Sequence, residues 1–348
     1  MKRDNSFDAW KGIAIVFVVA IHAANTGKEF LCGPSEWNYF ATLGLRQVYS
    51  FAVPLFFFMA GFFADKEIET ITMRWRTYAA HKLTRILVPY VFWSLVVIFF
   101  LQRNFDFLHL VKSLSLGRAQ GPYYFLIALS FLYIMTPIAS RLGIKRETTM
   151  LVIALNLITI SAIYMLRIEM KESFTWQMAA LPFTTWIIFY YLGLHARKSR
   201  ADSLFGHSDS LLSALGLCIF CLILSCLEAL FLITNEAGPY FWASSQVKFS
   251  SFLYSISIIN LFLVLRSRKI KYPAALIYLG KASFGIYLIH EIFRGKISSR
   301  LAHIENLYFI QPLFQATVVV TTIVACLIVI ETTRRVFGAS KAAKYFGF

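Results

Sequence analysis

Three ionisable residues lie in the segment FDAWKGIAIVFVVAIHAANTG, which runs from Phe7 to Gly27 and is wholly apolar between Gly12 and Ile21. Asp8 and Lys11 precede a stretch with no polar side chain, and His22 follows it. Ionisable groups inside a bilayer are costly and usually face other protein groups or a water-filled cavity. A lysine supplies a cation for an anionic substrate, whereas a histidine takes up or releases a proton near neutral pH. This combination indicates acid–base chemistry within a membrane.

The spacing of Lys11 and His22 places both on the same side of an α-helix. They are eleven positions apart, or about 1100° at 100° per residue, which is roughly 20° beyond three full turns. The rise between them is about 16 Å. Asp8 lies three residues before Lys11 and can pair with it on this face. A structural histidine bonded to a neighbouring helix, and a lysine that snorkels to the interface, are the simpler alternatives.

Composition places the chain in the membrane class. It has 348 residues, of which 58% are hydrophobic and 15% charged, and its mean hydropathy is +0.64. The net charge of +16 does not indicate a nucleic-acid-binding protein, because the basic residues form short clusters between apolar runs. We therefore predict an all-α polytopic membrane protein, a single domain over residues 1–348, which contacts membrane lipid and no nucleic acid.

Ten apolar segments are long enough for a membrane-spanning helix of about 20 residues. Their predicted bounds are 8–26, 46–64, 84–102, 123–141, 148–166, 178–196, 210–233, 249–266, 274–293 and 313–334. With a cytoplasmic N-terminus, the cytoplasmic segments hold roughly twice as many Lys and Arg residues as the outer segments. This bias predicts that both termini are cytoplasmic. No good cleavage site follows the first segment, so we expect an uncleaved helix there.

A cluster of basic residues, MRWRTYAAHKLTR, leads into the third predicted span. It contains Arg74, Arg76, Lys82 and Arg85. Clusters of cations bind phosphate groups, so these residues are candidates for binding an anionic substrate from the cytoplasm. The positive-inside rule by itself also accounts for such a cluster.

A polar patch interrupts the ninth predicted span, in the segment KASFGIYLIHEIF. Ser283, Tyr287 and His290 stand at positions i, i+4 and i+7, so they share one helix face, and Glu291 follows. They are candidates for lining a tunnel or orienting a substrate, and hydrogen bonding between helices is the alternative. Cys218 and Cys221 have the spacing of a metal-binding pair but no accompanying ligands, so we predict no metal site.

The order and spacing of these segments resemble acyltransferase family three, the integral membrane acyltransferases that modify bacterial surface glycans. The family's first span has an acidic residue, then Arg or Lys, ten residues, and His, as in Asp8, Lys11 and His22. Four further segments resemble later spans: VPLFFFMAGFFADK, HKLTRILVPYVFW, GPYYFLIALSFLYIMTP and KASFGIYLIHEIF. The resemblance covers about residues 7–334.

Three positions depart from the usual family pattern. Lys11 stands where Arg is commoner, Lys82-x-x-Arg85 replaces Arg-x-x-Arg, and Tyr124 occupies the place of a Trp. Lysine keeps the positive charge but lacks the bidentate fork of arginine.

The resemblance implies transfer of an acyl group, usually acetyl from acetyl-CoA, to a sugar hydroxyl. The acceptor would be a cell-envelope polysaccharide or a lipid-linked glycan, the location the bacterial inner membrane, and no cofactor would be bound permanently. His22 would be the general base, although an acyl-histidine intermediate stays open. The remaining residues implied in the site are Lys11 beside the base, the donor-binding residues Lys82, Arg85, Arg76 and Arg74, and the supporting residues Asp8, Ser283, Tyr287 and His290.

Two other classes of function stay open from the sequence. A transporter or flippase of lipid-linked glycans would also have about ten spans with buried polar groups. A non-catalytic assembly partner would have the same composition and would tolerate the loss of His22.

Overall fold

The computed structural model describes residues 4–24, 36–70, 75–103, 105–142, 145–170, 173–205, 210–234, 240–304 and 310–348. Within these ranges the chain is helical and has no β-strand. The all-α prediction is therefore confirmed. Arg74 lies outside the described residues, as does the side chain of Arg76.

The α-helices are numbered here in chain order. They are α1 Asn5–Ala23, α2 Glu36–Tyr49, α3 Ala52–Thr70, α4 Trp75–Val96, α5 Phe107–Ser115, α6 Tyr124–Leu142, α7 Arg146–Met170, α8 Trp176–Ala180, α9 Ile187–Lys198, α10 Leu211–Thr234, α11 Tyr240–Ala243, α12 Phe249–Ser267, α13 Ala274–Leu301, α14 Gln311–Phe337 and α15 Ala339–Lys341. A π-helical turn, Val97–Leu101, extends α4, and another, Ala342–Phe346, follows α15.

Nine helical stretches in the described part of the chain are long and apolar enough to cross a membrane. They correspond to nine of the ten predicted spans and confirm a polytopic membrane protein. Their outward faces carry large apolar side chains, such as Phe220 and Phe231 on α10 and Val320 and Ile328 on α14. Such faces suit a lipid environment, where exposed apolar groups carry no penalty.

The sixth predicted span, 178–196, is wrong as a continuous helix. Helix α8 ends at Ala180, Pro182 interrupts the chain, and α9 begins at Ile187. Proline lacks the N–H that a continuing helix needs. Side chains satisfy the backbone groups at the break: Thr185 Oγ1 donates to the carbonyl of Ala179 at 2.9 Å, and Trp186 Nε1 to that of Ala180 at 2.7 Å. Irregular backbone at membrane depth is tolerated when protein groups bond it in this way.

The second predicted span, 46–64, also contains a break, because α2 ends at Tyr49 and α3 begins at Ala52. A buried polar cluster lies beside this turn. Lys248 Nζ donates to Gln47 Oε1 at 2.8 Å and to the carbonyl of Ser225 at 3.1 Å. Gln47 Nε2 in turn donates to the carbonyl of Ala243 at 3.2 Å. These bonds connect α2 with α10 and with the start of α12.

Helices α1 and α13 cross at backbone contact, because a glycine lies on each side of the crossing. An ideal Cβ atom at Gly12 would lie 2.1 Å from the carbonyl oxygen of Leu276, and one at Gly280 would lie 1.7 Å from that of Asp8. Only glycine permits this approach, as at other close crossings of membrane helices. The crossing places the polar residues of α1 against those of α13.

We expect Gly280→Ala to destabilise the fold, since the added methyl group has no space against the Asp8 carbonyl. Overpacking of this kind costs about 1–3 kcal/mol. Thermal unfolding of the purified protein in detergent measures the effect. Gly295→Ala is the matched control on the same helix, because nothing lies within 4 Å of its ideal Cβ position. Equal unfolding temperatures for the two variants would contradict the described crossing.

Candidate active site

A cavity of about 860 Å³ lies among α1, α3, α4, α6, α9, α12 and α13; we call it the basic cavity. Two carboxylates, from Asp4 and Asp8, contribute to its wall, and positively charged side chains outnumber them. Among the described residues, six cations line it: Lys11, Lys82, Arg85, Arg197, Arg266 and Lys281. This excess of positive charge suits a ligand that carries several phosphate groups.

Lys11 and Lys82 line the basic cavity at defined positions. Lys11 Nζ lies 4.0 Å from Asp8 Oδ1 and 4.9 Å from the ring centroid of Phe63. Lys82 is buried, and its Nζ lies 5.2 Å from the ring centroid of Tyr133. The predicted pairing of Asp8 with Lys11 therefore occurs, and aromatic rings hold both ammonium groups through cation–π contacts.

A second cavity, of about 510 Å³, lies beside His22; we call it the histidine cavity. Arg46 and Gln246 contribute polar groups to its wall, and Tyr124 and Trp176 contribute aromatic rings. Gln246 Nε2 donates to Tyr124 Oη at 2.8 Å. Gln246 Oε1 is buried and has no hydrogen-bond partner in the described part of the chain. The histidine cavity therefore combines apolar faces with an available hydrogen-bond acceptor.

The two cavities abut at a wall made of Val18, Val53, Phe125 and Tyr287, which line both. Tyr287 is fixed there by the hydrogen bond that its hydroxyl donates to the carbonyl of Pro122. A ligand that fills the basic cavity can therefore reach this wall from one side, and a ligand in the histidine cavity can reach it from the other.

A carboxylate from α13 lies next to His22. Glu291 Oε1 is 3.4 Å from His22 Nδ1. Arg294 binds the same carboxylate through two hydrogen bonds, from Nε to Oε1 at 2.9 Å and from Nη2 to Oε2 at 2.8 Å. A bidentate arginine fixes both the position and the charge of a carboxylate. Glu291 is thus placed to orient the His22 imidazole and to stabilise its protonated form.

His290 lies behind His22 and is fully buried. Its Nδ1 lies 2.8 Å from the carbonyl oxygen of Tyr287 and 3.2 Å from that of Ile286, so we assign the ring hydrogen to Nδ1. The ring centroids of His22 and His290 are 5.3 Å apart, and His290 Nε2 is 4.0 Å from Glu291 Oε1. His290 therefore packs against the His22–Glu291 pair and does not line either cavity.

Ligand-type atoms of His22, His290 and Glu291 lie within 4.8 Å of one another, a spacing that a metal ion can use. Both oxygens of Glu291, however, accept hydrogen bonds from Arg294. The adjacent guanidinium charge opposes a second cation at that carboxylate. We therefore interpret these residues as a hydrogen-bonded acid–base cluster.

The structure distributes the predicted site residues over one connected region. Those that line the basic cavity are Asp8, Lys11, Lys82, Arg85, Ser283 and Tyr287. His22 lines the histidine cavity, and His290 packs behind it.

Among the described residues of this region, seven charged ones are absent from the sequence-based set of site residues: Asp4, Arg46, Arg197, Arg266, Lys281, Glu291 and Arg294. Arg197, Arg266 and Lys281 come from three separate helices, and their types match ordinary loop charges, so no local signal distinguishes them. Glu291 and Arg294 are different, because their spacing of three residues on one helix is a recognisable ion-pair pattern.

The helical architecture and the buried polar residues define an integral membrane protein with an internal, membrane-embedded site. The family model for an acyltransferase domain matches residues 4–331. The chain therefore belongs to acyltransferase family three, as its sequence motifs predict. No curated protein and no solved structure matches the chain significantly.

We expect Val18→Phe to reduce acyl transfer by roughly 10²-fold, because misplacing reacting groups by about 1 Å has effects of that size. The larger phenylalanine ring would occupy space where the two cavities adjoin, and it leaves the cations of the basic cavity in place. Steady-state transfer and equilibrium donor binding should be measured together, with Val16→Phe as the control on the same helix, since Val16 lines neither cavity. Equal transfer by both variants would show that reacting groups do not meet at this wall.

Proposed function

We propose that the chain is a bacterial inner-membrane O-acyltransferase that moves an acetyl group from acetyl-CoA to a sugar hydroxyl. The acceptor would be a cell-envelope polysaccharide or a lipid-linked glycan. One observation supports this proposal above the others: His22, next to Glu291, lines a cavity that shares a wall with a second cavity rich in cations. Membership of the acyltransferase family supports the reaction class.

The basic cavity suits the donor. Coenzyme A joins an anionic nucleotide to a long uncharged arm that ends in the thioester. Lys82 and Arg85 would bind the diphosphate, because clustered cations recognise phosphate oxygens. The arm would then extend towards Val18 and Tyr287, where the wall becomes apolar. In the predicted topology, the basic cavity opens towards the cytoplasm, which contains acetyl-CoA.

The histidine cavity suits the acceptor. Sugar rings pack their apolar faces on aromatic side chains, and Tyr124 and Trp176 provide such rings. Gln246 Oε1 would accept a hydrogen bond from a sugar hydroxyl, since a buried acceptor without a partner is costly. His22 would then lie beside the hydroxyl that reacts.

The chemistry requires a base, because a neutral hydroxyl is a weak nucleophile. The 3.4 Å contact with Glu291 favours a hydrogen on His22 Nδ1, which leaves Nε2 to accept the proton of the sugar hydroxyl. The sugar oxygen attacks the thioester carbonyl carbon, and a tetrahedral intermediate forms. The C–S bond then breaks, and the departing sulfur takes the proton from His22 Nε2. The products are the sugar acetate and free CoA, and Glu291 stays ionised throughout.

We expect His22→Ala to lower acetyl transfer by about 10²–10⁴-fold, the range typical for removing a general base. The protein in nanodiscs is incubated with acetyl-CoA and acceptor, and both CoA release and acylated product are followed. His303→Ala is the matched control, because His303 is exposed and remote from both cavities. Full activity of a folded His22→Ala protein would refute this role. An absence of acetyl-CoA binding by the parent would instead favour the transporter or flippase.

Glu291→Gln should lower kcat by about 10²–10⁴-fold and leave the KM for acetyl-CoA nearly unchanged. The amide keeps the shape of the side chain but removes the negative charge that stabilises protonated His22. Glu331→Gln is the matched control, since Glu331 forms an equivalent i,i+3 ion pair with Arg334 away from both cavities. A change confined to KM would mean that Glu291 acts in donor binding and not in proton transfer.

A further inference from the structure

Two arginines from separate helices meet on one side of the basic cavity. Arg197 lies in the last turn of α9, and Arg266 lies in the last turn of α12. Their guanidinium carbons are 5.6 Å and 5.5 Å from the ring centroid of Phe62, and that of Arg266 is also 5.3 Å from the ring of Phe7. Both side chains line the cavity, and neither belongs to the motifs of the first span or of the basic cluster.

This pair is distinct from the cations of α4. Lys82 packs on Tyr133 of α6, whereas Arg197 and Arg266 share a ring on α3. In the described part of the chain, Arg197 forms no ion pair with a carboxylate, and its charge is held by the aromatic ring. The cations of the basic cavity are therefore held by different rings: Lys82 packs on Tyr133, Arg197 and Arg266 pack on Phe62, and Lys11 packs on Phe63.

Asp4 forms an ion pair with one of the two arginines, Arg266. Arg266 Nε donates to Asp4 Oδ2 at 2.9 Å, and Asp4 also caps α1 by accepting from the N–H of Ser6 at 3.0 Å. Burial opposes ionisation of Asp4, but the bonds from Arg266 and Ser6 outweigh it and hold the pKa of this carboxyl below its ordinary value. An ionised Asp4 competes with any anionic ligand for Arg266.

We propose that Arg197 and Arg266 form a second phosphate subsite, which binds the ribose 3′-phosphate of the donor. The assignment rests on the proposed function, in which Lys82 and Arg85 bind the diphosphate. Coenzyme A has these two anionic groups at separate positions, and Arg197 and Arg266 are held by a different ring from Lys82. Arginine is the preferred partner for a terminal phosphate, because its planar fork bonds two oxygens at once. This subsite would select CoA thioesters over thioesters that lack the 3′-phosphate.

The test compares acetyl-CoA with acetyl-3′-dephospho-CoA. We expect the parent to prefer acetyl-CoA in kcat/KM by about tenfold to a hundredfold, the value of one or two charge-assisted hydrogen bonds. Arg197→Gln and Arg266→Gln should lower kcat/KM for acetyl-CoA and leave that for the dephospho donor unchanged. Arg268→Gln is the matched control: it alters an exposed arginine two residues from Arg266 that does not line the cavity.

Asp4→Asn should change the affinity of the subsite for phosphate in the opposite direction to the arginine variants. Asparagine retains the capping oxygen for α1 and removes the charge that competes for Arg266. We expect this variant to bind acetyl-CoA more tightly and to prefer it more strongly over the dephospho donor. Because it adds no volume and removes no cation, it reports on the subsite even if an arginine variant fails to fold.

Calorimetric binding of adenosine 3′,5′-bisphosphate and of ADP separates this proposal from the proposed function, because it needs no turnover. The subsite is supported if Arg197→Gln and Arg266→Gln bind adenosine 3′,5′-bisphosphate more weakly than the parent but bind ADP as well as the parent does. This result would hold even if the parent transfers no acetyl group. Equal losses for both nucleotides, or for both donors in the kinetic assay, would overturn it. Unchanged binding in all variants would also overturn it.

Discussion

The site depends on the contact between the backbones of α1 and α13. Gly12 and Gly280 lie on opposite sides of this crossing, and each faces a carbonyl group of the other helix at a distance that excludes a side chain. The hydrophobic effect gives little drive for helix association inside lipid, so close packing of small residues has to supply it. This crossing holds His22 within 3.4 Å of Glu291, although the two residues are far apart in sequence.

The two cavities differ in how much charge they carry. The basic cavity has six cations and two carboxylates in its described wall, whereas the described wall of the histidine cavity has one arginine, Arg46, with the amide of Gln246 and aromatic rings beside His22. In the proposed reaction, the reacting groups would meet where the cavities share a wall, at Val18, Val53, Phe125 and Tyr287. An anionic donor and a hydroxylated acceptor would then bind to different surfaces and be held in position beside one base.

The irregular helices have a physical role in this arrangement. The break at Pro182 and the turn before Ala52 both expose backbone groups, which buried side chains then satisfy. Interruptions of this kind are typical where membrane helices surround a polar cavity.

Local sequence determined the class of the protein and the first residues of its candidate site. Apolar length predicts the spans, because a helix must cross about 30 Å of hydrocarbon. Helical periodicity placed Lys11 and His22 on one side, because eleven residues complete almost whole turns. The family motifs predicted the acyltransferase family, which the match over residues 4–331 confirms. The same apolar signal predicted an unbroken helix at 178–196 and was wrong there. Hydropathy measures only how apolar the side chains are, so it does not detect a break at which side chains form hydrogen bonds with the backbone.

Tertiary structure alone decided which charges belong to the site. Arg197, Arg266 and Lys281 have the same residue types as ordinary cytoplasmic charges, and only the packing of α9, α12 and α13 brings them to one cavity. Glu291 is next to His290 in sequence, yet its nearer charged partners are His22 on another helix, at 3.4 Å, and Arg294 one turn away, at 2.8 Å. Helical periodicity in the sequence shows which residues lie on the same face of a helix. Which other helix packs against that face depends on contacts between segments that are distant in the chain.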